Sequence, residues 1–573
     1  YLSNKSAATR REGRSEGAKR SGGRSRAFCE RAARPGLRRP STAVVMRFVS
    51  TRGGGSPVSF EDAIGSGYAV DGGLYVPETL PQIDAERLES WADLDYAALA
   101  FEVLSPFISA EVEETDLRRV LAECYAGFDD AAAAVPVVKV SPPGEPTLFV
   151  AELFHGPTYC FKDLGLQVLI RLLAHFSKKR NQPKTLLVST TGDTGPAALR
   201  AARDVGSPLL RVVCFFPEDQ VSALQRKQMT TMGSLSTLVM TFQGGGDDMD
   251  GPLKKMAMDS DFARAHGLCG INSYNVCRPL AQMVHYVWIY LKCRCVAGDV
   301  VDIIVPTGAM GNLAAATLAV KRGVPLGLLA AGVNENDITH RTLSKGEFHR
   351  AKNMVKTLSD AINIQVPYNF ERVLYYALDC DSDKLRGCME TMDETQRLTL
   401  DAQTRAKLAE RYRSARVDDG EMMQTLRKWH VERNITFDPH TSVALHAAEQ
   451  LDFPAAPRVA CVLATAHACK FEAAVVAAIG PEEWDKFARG PLFPKAARAL
   501  MLVEDAAPLR LARKQAETLE DAQRRWEATV RAILEDPAGL GAVSEILDED
   551  DFGADDFGAD AAPATHGSGC VVQ

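Results

Sequence analysis

One lysine in this sequence of 573 residues has neighbours that suit covalent chemistry. It lies in the stretch Phe154-His155-Gly156-Pro157-Thr158-Tyr159-Cys160-Phe161-Lys162-Asp163, and residues 162–171 carry the pattern of a helix. A side chain at a helix start points back over the N-terminus, where the partial positive charge disfavours an ammonium ion. A neutral amine or an imine is easier to hold there. Lys162 therefore suits a Schiff base with an aldehyde cofactor. Position alone does not separate this from an ordinary solvated lysine.

Two glycine-bearing turns add anion chemistry. Thr307-Gly308-Ala309-Met310-Gly311-Asn312 follows one apolar run and precedes a helical one. Its glycines let backbone N–H groups approach an anion, and the helix dipole adds to the attraction. Thr190-Thr191-Gly192-Asp193-Thr194-Gly195 also opens a helix, with Pro196 in an early helical position. Its hydroxyls and amides can clamp a carboxylate, or Asp193 or Thr194 can simply cap the helix.

Positioning such turns requires strands that end at them. Residues 185–189, 209–216, 301–306, 328–333 and 459–464 read as short apolar strands. Helices are expected over 197–204, from 222, over 314–322 and over 470–479. Short apolar runs separated by helices indicate an α/β fold with mostly parallel sheets covered on both faces. Ligands bind beyond the carboxyl ends of such strands, where these turns lie. Residues 46–145 differ, with helical pieces near 86–99 and 113–124, and read as a helical N-terminal domain packed on the body.

The segment His155-Gly156-Pro157-Thr158-x-x-Phe161-Lys162-Asp163 resembles the cofactor-lysine segment of the threonine synthase family. The likeness runs in order from about residue 48 to 475. Val49-Ser50-Thr51-Arg52-Gly53 and Asp71-Gly72-Gly73-Leu74-Tyr75-Val76-Pro77 are similar to the family's N-terminal signature. Residues 189–195 resemble its S-G-D-T-G loop, with Thr191 in place of Ser. Asn272-Ser273-Tyr274-Asn275-Val276-Cys277-Arg278 resembles N-S-I-N-x-S-R, and residues 306–312 resemble the phosphate-binding P-S-G-N-F-G turn, with Ala309 in place of Asn. Later blocks are Thr357-Leu358-Ser359-Asp360-Ala361, Pro367-Tyr368-Asn369, Asp438-Pro439-His440-Thr441 and Thr465-Ala466-His467. The wording at 307–312, 336–342 and 365–369 is similar to the threonine synthase-like branch, whose members can act as phospho-lyases.

The resemblance implies pyridoxal 5′-phosphate and its fold type II, the tryptophan synthase β-like fold. It assigns Lys162 to the Schiff base. Thr307, Gly308, Ala309, Met310, Gly311 and Asn312 would hold the cofactor phosphate, Thr465 the pyridine nitrogen, and Asn275 the 3′-oxygen or the substrate. Thr190, Thr191, Gly192, Asp193 and Thr194 would hold a substrate carboxylate, and Arg278 a substrate phosphate, which suits its forked guanidinium. His440 and His467 are read as structural. The implied substrate is a phosphorylated amino acid such as O-phosphohomoserine, with threonine as product. The alternative is a phospho-lyase giving 2-oxobutyrate, ammonia and phosphate. Rival classes are a non-catalytic regulatory descendant and a serine or threonine dehydratase of the same fold.

Composition sets bounds. Hydrophobic residues make up 46% and charged residues 24%, an ordinary globular balance. The longest apolar stretch, 313–333, is broken by Lys321 and Arg322, so no stable membrane insertion is expected. Thirteen cysteines form no regular framework, and Cys293 and Cys295 sit too close for a zinc knuckle, so no metal is expected. Residues 1–45 carry twelve basic and three acidic side chains, and read either as an organellar transit peptide or as translated sequence ahead of a start at Met46. The location is accordingly cytoplasmic, or plastid or mitochondrial. The body between the tails has more acids than bases, which argues against a nucleic-acid partner. A monomer or homodimer is expected.

The catalytic domain is expected over 146–500, a surface helix over 501–535 and a disordered acidic tail over 536–573. That tail repeats Asp-Asp-Phe-Gly-Ala at 550–554 and 555–559. The terminal Cys570-Val571-Val572-Gln573 fits a prenylation motif, but neighbouring acids would be repelled by anionic lipid, and coincidence is preferred.

Overall fold

The structure is a computed structural model, and it describes residues 45–536 apart from 143–144, 233–235, 298–299 and 454–457. The basic arm up to residue 44, the acidic repeat and Cys570 lie outside the described residues.

Two larger sheets organise the body. The first has the order Tyr412–Arg416, Leu326–Val333, Val301–Pro306, Val459–Ala464, Leu148–Glu152 and Val137–Lys139, and only the last pairing is antiparallel. The second is parallel throughout, in the order Leu509–Leu511, Thr237–Phe242, Leu210–Pro217, Lys184–Ser189 and Leu268–Gly270. Every residue of Val301–Pro306 and of Val459–Ala464 is buried. A strand covered on both faces needs no polar alternation, which is why these two were legible as continuous apolar runs.

Long helices fill the space between the layers. Lys162–Arg180 runs well past residue 171, buries twelve residues, and ends on a basic last turn with Asn181 in the left-handed conformation (φ 51°). Basic side chains suit a C-terminal dipole, and asparagine tolerates that cap. Against it packs Cys277–Ala297, whose residues 280–291 are nearly all buried. Such a helix has no polar stripe, so its sequence carries little periodic signal.

The N-terminal region is helical, as expected, with helices Phe60–Ser66, Tyr96–Ile108 and Glu114–Tyr125. It also contains an antiparallel ribbon of Phe48–Ser50 with Tyr75–Pro77. Its core is continuous with that of the body, and the Phe60 ring lies 6.3 Å from that of Phe176. The signature residues act as fasteners. The Asp71 carboxylate accepts from Ser50 Oγ at 2.7 Å and from the amide of Gly54 at 2.7 Å, and Arg52 pairs with Glu371 of the body at 2.9 Å.

The expected surface helix over 501–535 is corrected. Leu509–Leu511 adds a parallel edge strand beside Thr237–Phe242, and Leu519–Glu535 buries Trp526, Val530 and Ile533 against the second sheet. Mixed charges on its outer face disguise an apolar stripe that completes a core. No helix among the described residues is long and apolar enough to cross a membrane.

Candidate active site

The carboxyl ends of the two sheets face one cavity of about 920 Å³ including its open mouth. Lys162, Thr190, Thr191, Asp193, Thr194, Arg278, Thr465 and all six residues of 307–312 border it. Gly192 and Asn275 do not.

The lysine segment is stitched to the end of the central strand Val459–Ala464. Phe161 N donates to Thr465 O at 2.8 Å, and His467 N to Tyr159 O at 3.0 Å. The turn before Lys162 is locked by Asp163, which accepts from both the amide and the hydroxyl of Thr158 at 2.8 Å. Burial pushes the Asp163 carboxyl up to about 6. A Cβ on Gly156 would meet Asp163 at 2.5 Å, so only glycine fits there. Tyr159 adopts a left-handed φ of 63°, a strained choice for a tyrosine that the surrounding bonds must hold. Lys162 itself is the first residue of its helix. Burial lowers its proton affinity, and the Asp193 carboxylate, 4.0 Å away, opposes that effect.

The turn at 307–312 is held from within and closely packed. The Thr307 amide and hydroxyl are spent on Gly332 O and Val305 O, both at 2.8 Å, so its side chain fixes the turn. Met310 is left-handed (φ 59°), the second strained non-glycine residue in a loop of the site. A Cβ on Gly311 would strike Ser273 at 2.7 Å, and one on Gly308 would press on Ile362 and Ile364 at 3.0–3.1 Å. Asn312 Oδ1 accepts from His285 Nε2 and Tyr286 OH, each at 2.8 Å, which leaves the buried Nδ2 with no acceptor. An orphaned donor at a helix start, beside glycines with no room for a Cβ, fits a phosphate group. Burial holds His285 down at about 3, so the imidazole behind the turn is neutral.

The turn at 190–195 has the same strand–turn–helix build and a different filling. Thr190 Oγ accepts from the amides of Gly192 and Thr194, both at 3.0 Å. Gly192 is needed because a Cβ there would lie 2.5 Å from Gln225. Asp193 makes no cap bond to the helix. Its Oδ1 instead accepts from Lys470 Nζ at 2.7 Å and from Gln225 Nε2 at 2.8 Å. Burial would raise this carboxyl, but the Lys470 and Lys162 amines overturn that and pull it far below the usual range.

Arg278 lines the cavity while almost fully buried, donating Nη1 to Ile271 O at 2.9 Å, with Nε left without an acceptor. Burial draws its guanidinium down to about 10, so it stays a cation at neutral pH. The Asn275 assignment needs correction. Its Nδ2 donates to Ile64 O and Gly270 O, and its Oδ1 accepts from the Cys277 amide, so it joins the N-terminal domain to the body. Asn272, three residues earlier, borders the cavity with Nδ2 on Ser189 O and an orphaned Oδ1. His440, expected to be structural, borders the cavity, with Nδ1 facing Asp438 at 2.9 Å and Nε2 accepting from the Ala361 amide. His467 accepts from the Cys469 amide, and burial brings it down to about 3. Sequence reasoning missed Tyr368, Asp247 and Asp250 on the wall, and Lys470 behind it.

Comparison with known proteins identifies the family and the fold. The family model for the threonine synthase N terminus matches residues 47–125, and that for pyridoxal-phosphate dependent enzymes matches residues 134–411. Human threonine synthase-like 2 is 36% identical, over 84% of this chain and 99% of the relative. The threonine synthase of Pseudomonas aeruginosa is 33% identical over 75% of this chain and 90% of its own. The crystal structure of pyridoxal-phosphate-bound threonine synthase from Brucella melitensis superposes with a TM-score of 0.74 at 31% identity, covering 85% of this chain and 99% of that one. The chain belongs to the threonine synthase family of pyridoxal-phosphate enzymes, with the fold type II architecture of that family.

Proposed function

We propose that the chain is a lyase that takes O-phosphohomoserine, releases its phosphate by β,γ-elimination and returns threonine. The observation that carries this reading is one cavity bordered by a lysine whose proton affinity burial lowers, a turn with an orphaned amide donor, and a buried arginine with an unpaired Nε. The turn at 307–312 would hold the cofactor phosphate, Lys162 the aldehyde carbon, and Thr465 the ring nitrogen. Bound there, pyridoxal phosphate supplies an electron sink for the bonds broken at Cα and Cβ.

The protein's own groups then divide the work. The Lys162 amine, released when the substrate amine takes its place, accepts the Cα proton, then the Cβ proton lost as phosphate leaves Cγ, and returns protons later. The Thr190 and Thr191 hydroxyls, with the loop amides that Thr190 Oγ does not already occupy, hold the substrate carboxylate at a helix N-terminus. Arg278 meets the substrate phosphate as a fixed cation until it leaves. Threonine results when one water adds its oxygen at Cβ and a proton at Cγ.

A second reading has the same residues release 2-oxobutyrate, ammonia and phosphate. It is supported by the threonine synthase-like 2 relatives at 36% identity, above the 33% of the Pseudomonas threonine synthase. Incubating the holoenzyme with O-phosphohomoserine and measuring phosphate, threonine and 2-oxobutyrate together decides between them. Phosphate with equimolar threonine supports the first reading. Phosphate with equimolar 2-oxobutyrate supports the second. No phosphate release removes both.

A further inference from the structure

The Asp193 carboxylate sits where a substrate clamp was expected, yet its surroundings suit another task. Lys470 is fully buried at the end of the segment that follows the central strand. Its ammonium donates to Asp193 Oδ1 at 2.7 Å and to Thr158 O at 2.9 Å. Thr158 is the residue that Asp163 locks beside Lys162. Gln225 Nε2 occupies the same Asp193 oxygen at 2.8 Å. Both donors hold Oδ1, so Oδ2 is the oxygen turned to Lys162 Nζ, at 4.0 Å. One ammonium thus ties together the lysine segment, the 190–195 turn and the strand end, and aims a carboxylate at the reactive amine.

We propose that Asp193, clamped by Lys470, is a positioning residue that stabilises Lys162 whenever it carries a proton. A base that takes a proton in a dry cavity must hold a cation there, and a lone ammonium is costly in such a place. A fixed carboxylate lowers that cost. Left alone, the same carboxylate would pair more tightly with Lys162 and hold its proton too firmly. Lys470 cancels part of its charge and keeps it ionised. The other charged or titratable groups around Lys162 are Cys160 on its own segment, Arg278 across the cavity, and Asp360, whose neighbour is His440. Burial pushes Asp360 up to about 7 and Cys160 to about 12, so Asp193 is the firmly ionised carboxylate facing the amine. The inference rests on the family's cofactor and not on the choice of product.

The test is a spectroscopic pH titration of the holoenzyme, following the visible band of the protonated cofactor–Lys162 Schiff base. Asp193→Asn should shift loss of that band to lower pH than in the unaltered protein, and Lys470→Met should shift it to higher pH. The double variant should fall between the unaltered protein and Asp193→Asn, because Asp193 acts on Lys162 more strongly than Lys470 does. Asp193→Asn should also lower kcat about tenfold or more with a smaller change in KM, and Asp193→Glu should restore the band position. Shifts of the same sign in the two single variants, or none, would overturn the proposal. If either single variant fails to fold, the double variant leaves no lone buried charge and carries the test: a midpoint equal to or above that of the unaltered protein overturns it.

Discussion

The two turns at 190–195 and 307–312 are alike in chain path and opposite in electrostatics. Each leaves the carboxyl end of a parallel strand, turns through glycines and opens a helix. At 307–312 the side chains retreat into holding the turn, and one amide donor, Asn312 Nδ2, stays unpaired. At 190–195 a carboxylate enters the wall and is answered by a buried lysine. A glycine-rich strand–helix turn is therefore a frame, and its charge is set by one or two side chains placed in it. The first turn fits an anion as it stands, whereas the second spends two of its amides on Thr190 Oγ and sets a carboxylate in the wall.

The contrast can be broken at Lys162, which both turns serve. Lys162→Ala should abolish the visible band of the reconstituted enzyme and lower kcat by about 10²- to 10⁴-fold or more, read by absorbance and phosphate release. The next largest effect concerns the imidazole behind the phosphate turn. An unfolded histidine takes a proton near the ordinary 6.5, but His285 in the fold resists until about 3. Its contribution to stability is thus full above about pH 6.5 and is lost as pH falls toward 3. Acidification from neutral pH should destabilise the protein more than His285→Gln, which has no proton to gain. The difference is on the order of a few kcal/mol in denaturant titrations.

Smaller effects sharpen the comparison turn by turn. Gly311→Val places carbon against Ser273 and should weaken cofactor binding by about tenfold or more, near 1.4 kcal/mol, in titrations of the apoprotein. Gly192→Ala strains a φ of 145° and presses on Gln225. It should cost about 1 kcal/mol of stability and raise KM for the phosphorylated substrate, while cofactor affinity measured in the same titration stays unchanged. If Gly192→Ala weakened the cofactor as much as Gly311→Val does, the division of labour between the turns would fail.

Much of this arrangement was legible because parallel strands and glycine turns leave strong local signals. Val301–Pro306 and Val459–Ala464 declared themselves as apolar runs ended by turns. Cys277–Ala297 did not, because a helix buried on most sides shows no stripe. Leu519–Glu535 showed its charges and hid its tryptophan face. Within the site, residue types were clearer than directions. Asn272 and Asn275 share one motif, and only the packing of Ile64 against the second decides which reaches the cavity. Asp193 reads as part of a substrate clamp, or else as a cap, because composition cannot show which way a carboxylate turns. Its partner Lys470 also donates to the Thr158 carbonyl, 312 residues earlier, a distance no local pattern spans.

The placement of Val459–Ala464 also bears on how the molecule is made. This strand lies between Leu148–Glu152 and Val301–Pro306, in the interior of its sheet. A ribosome must therefore complete about four-fifths of the chain before the middle of that sheet can close. Until then the emerging polypeptide holds two unpaired strand edges, which are templates for aberrant association. Thr465 and Lys470 arrive with the closing strand, so the step that closes this sheet is also the step that completes the wall around Lys162.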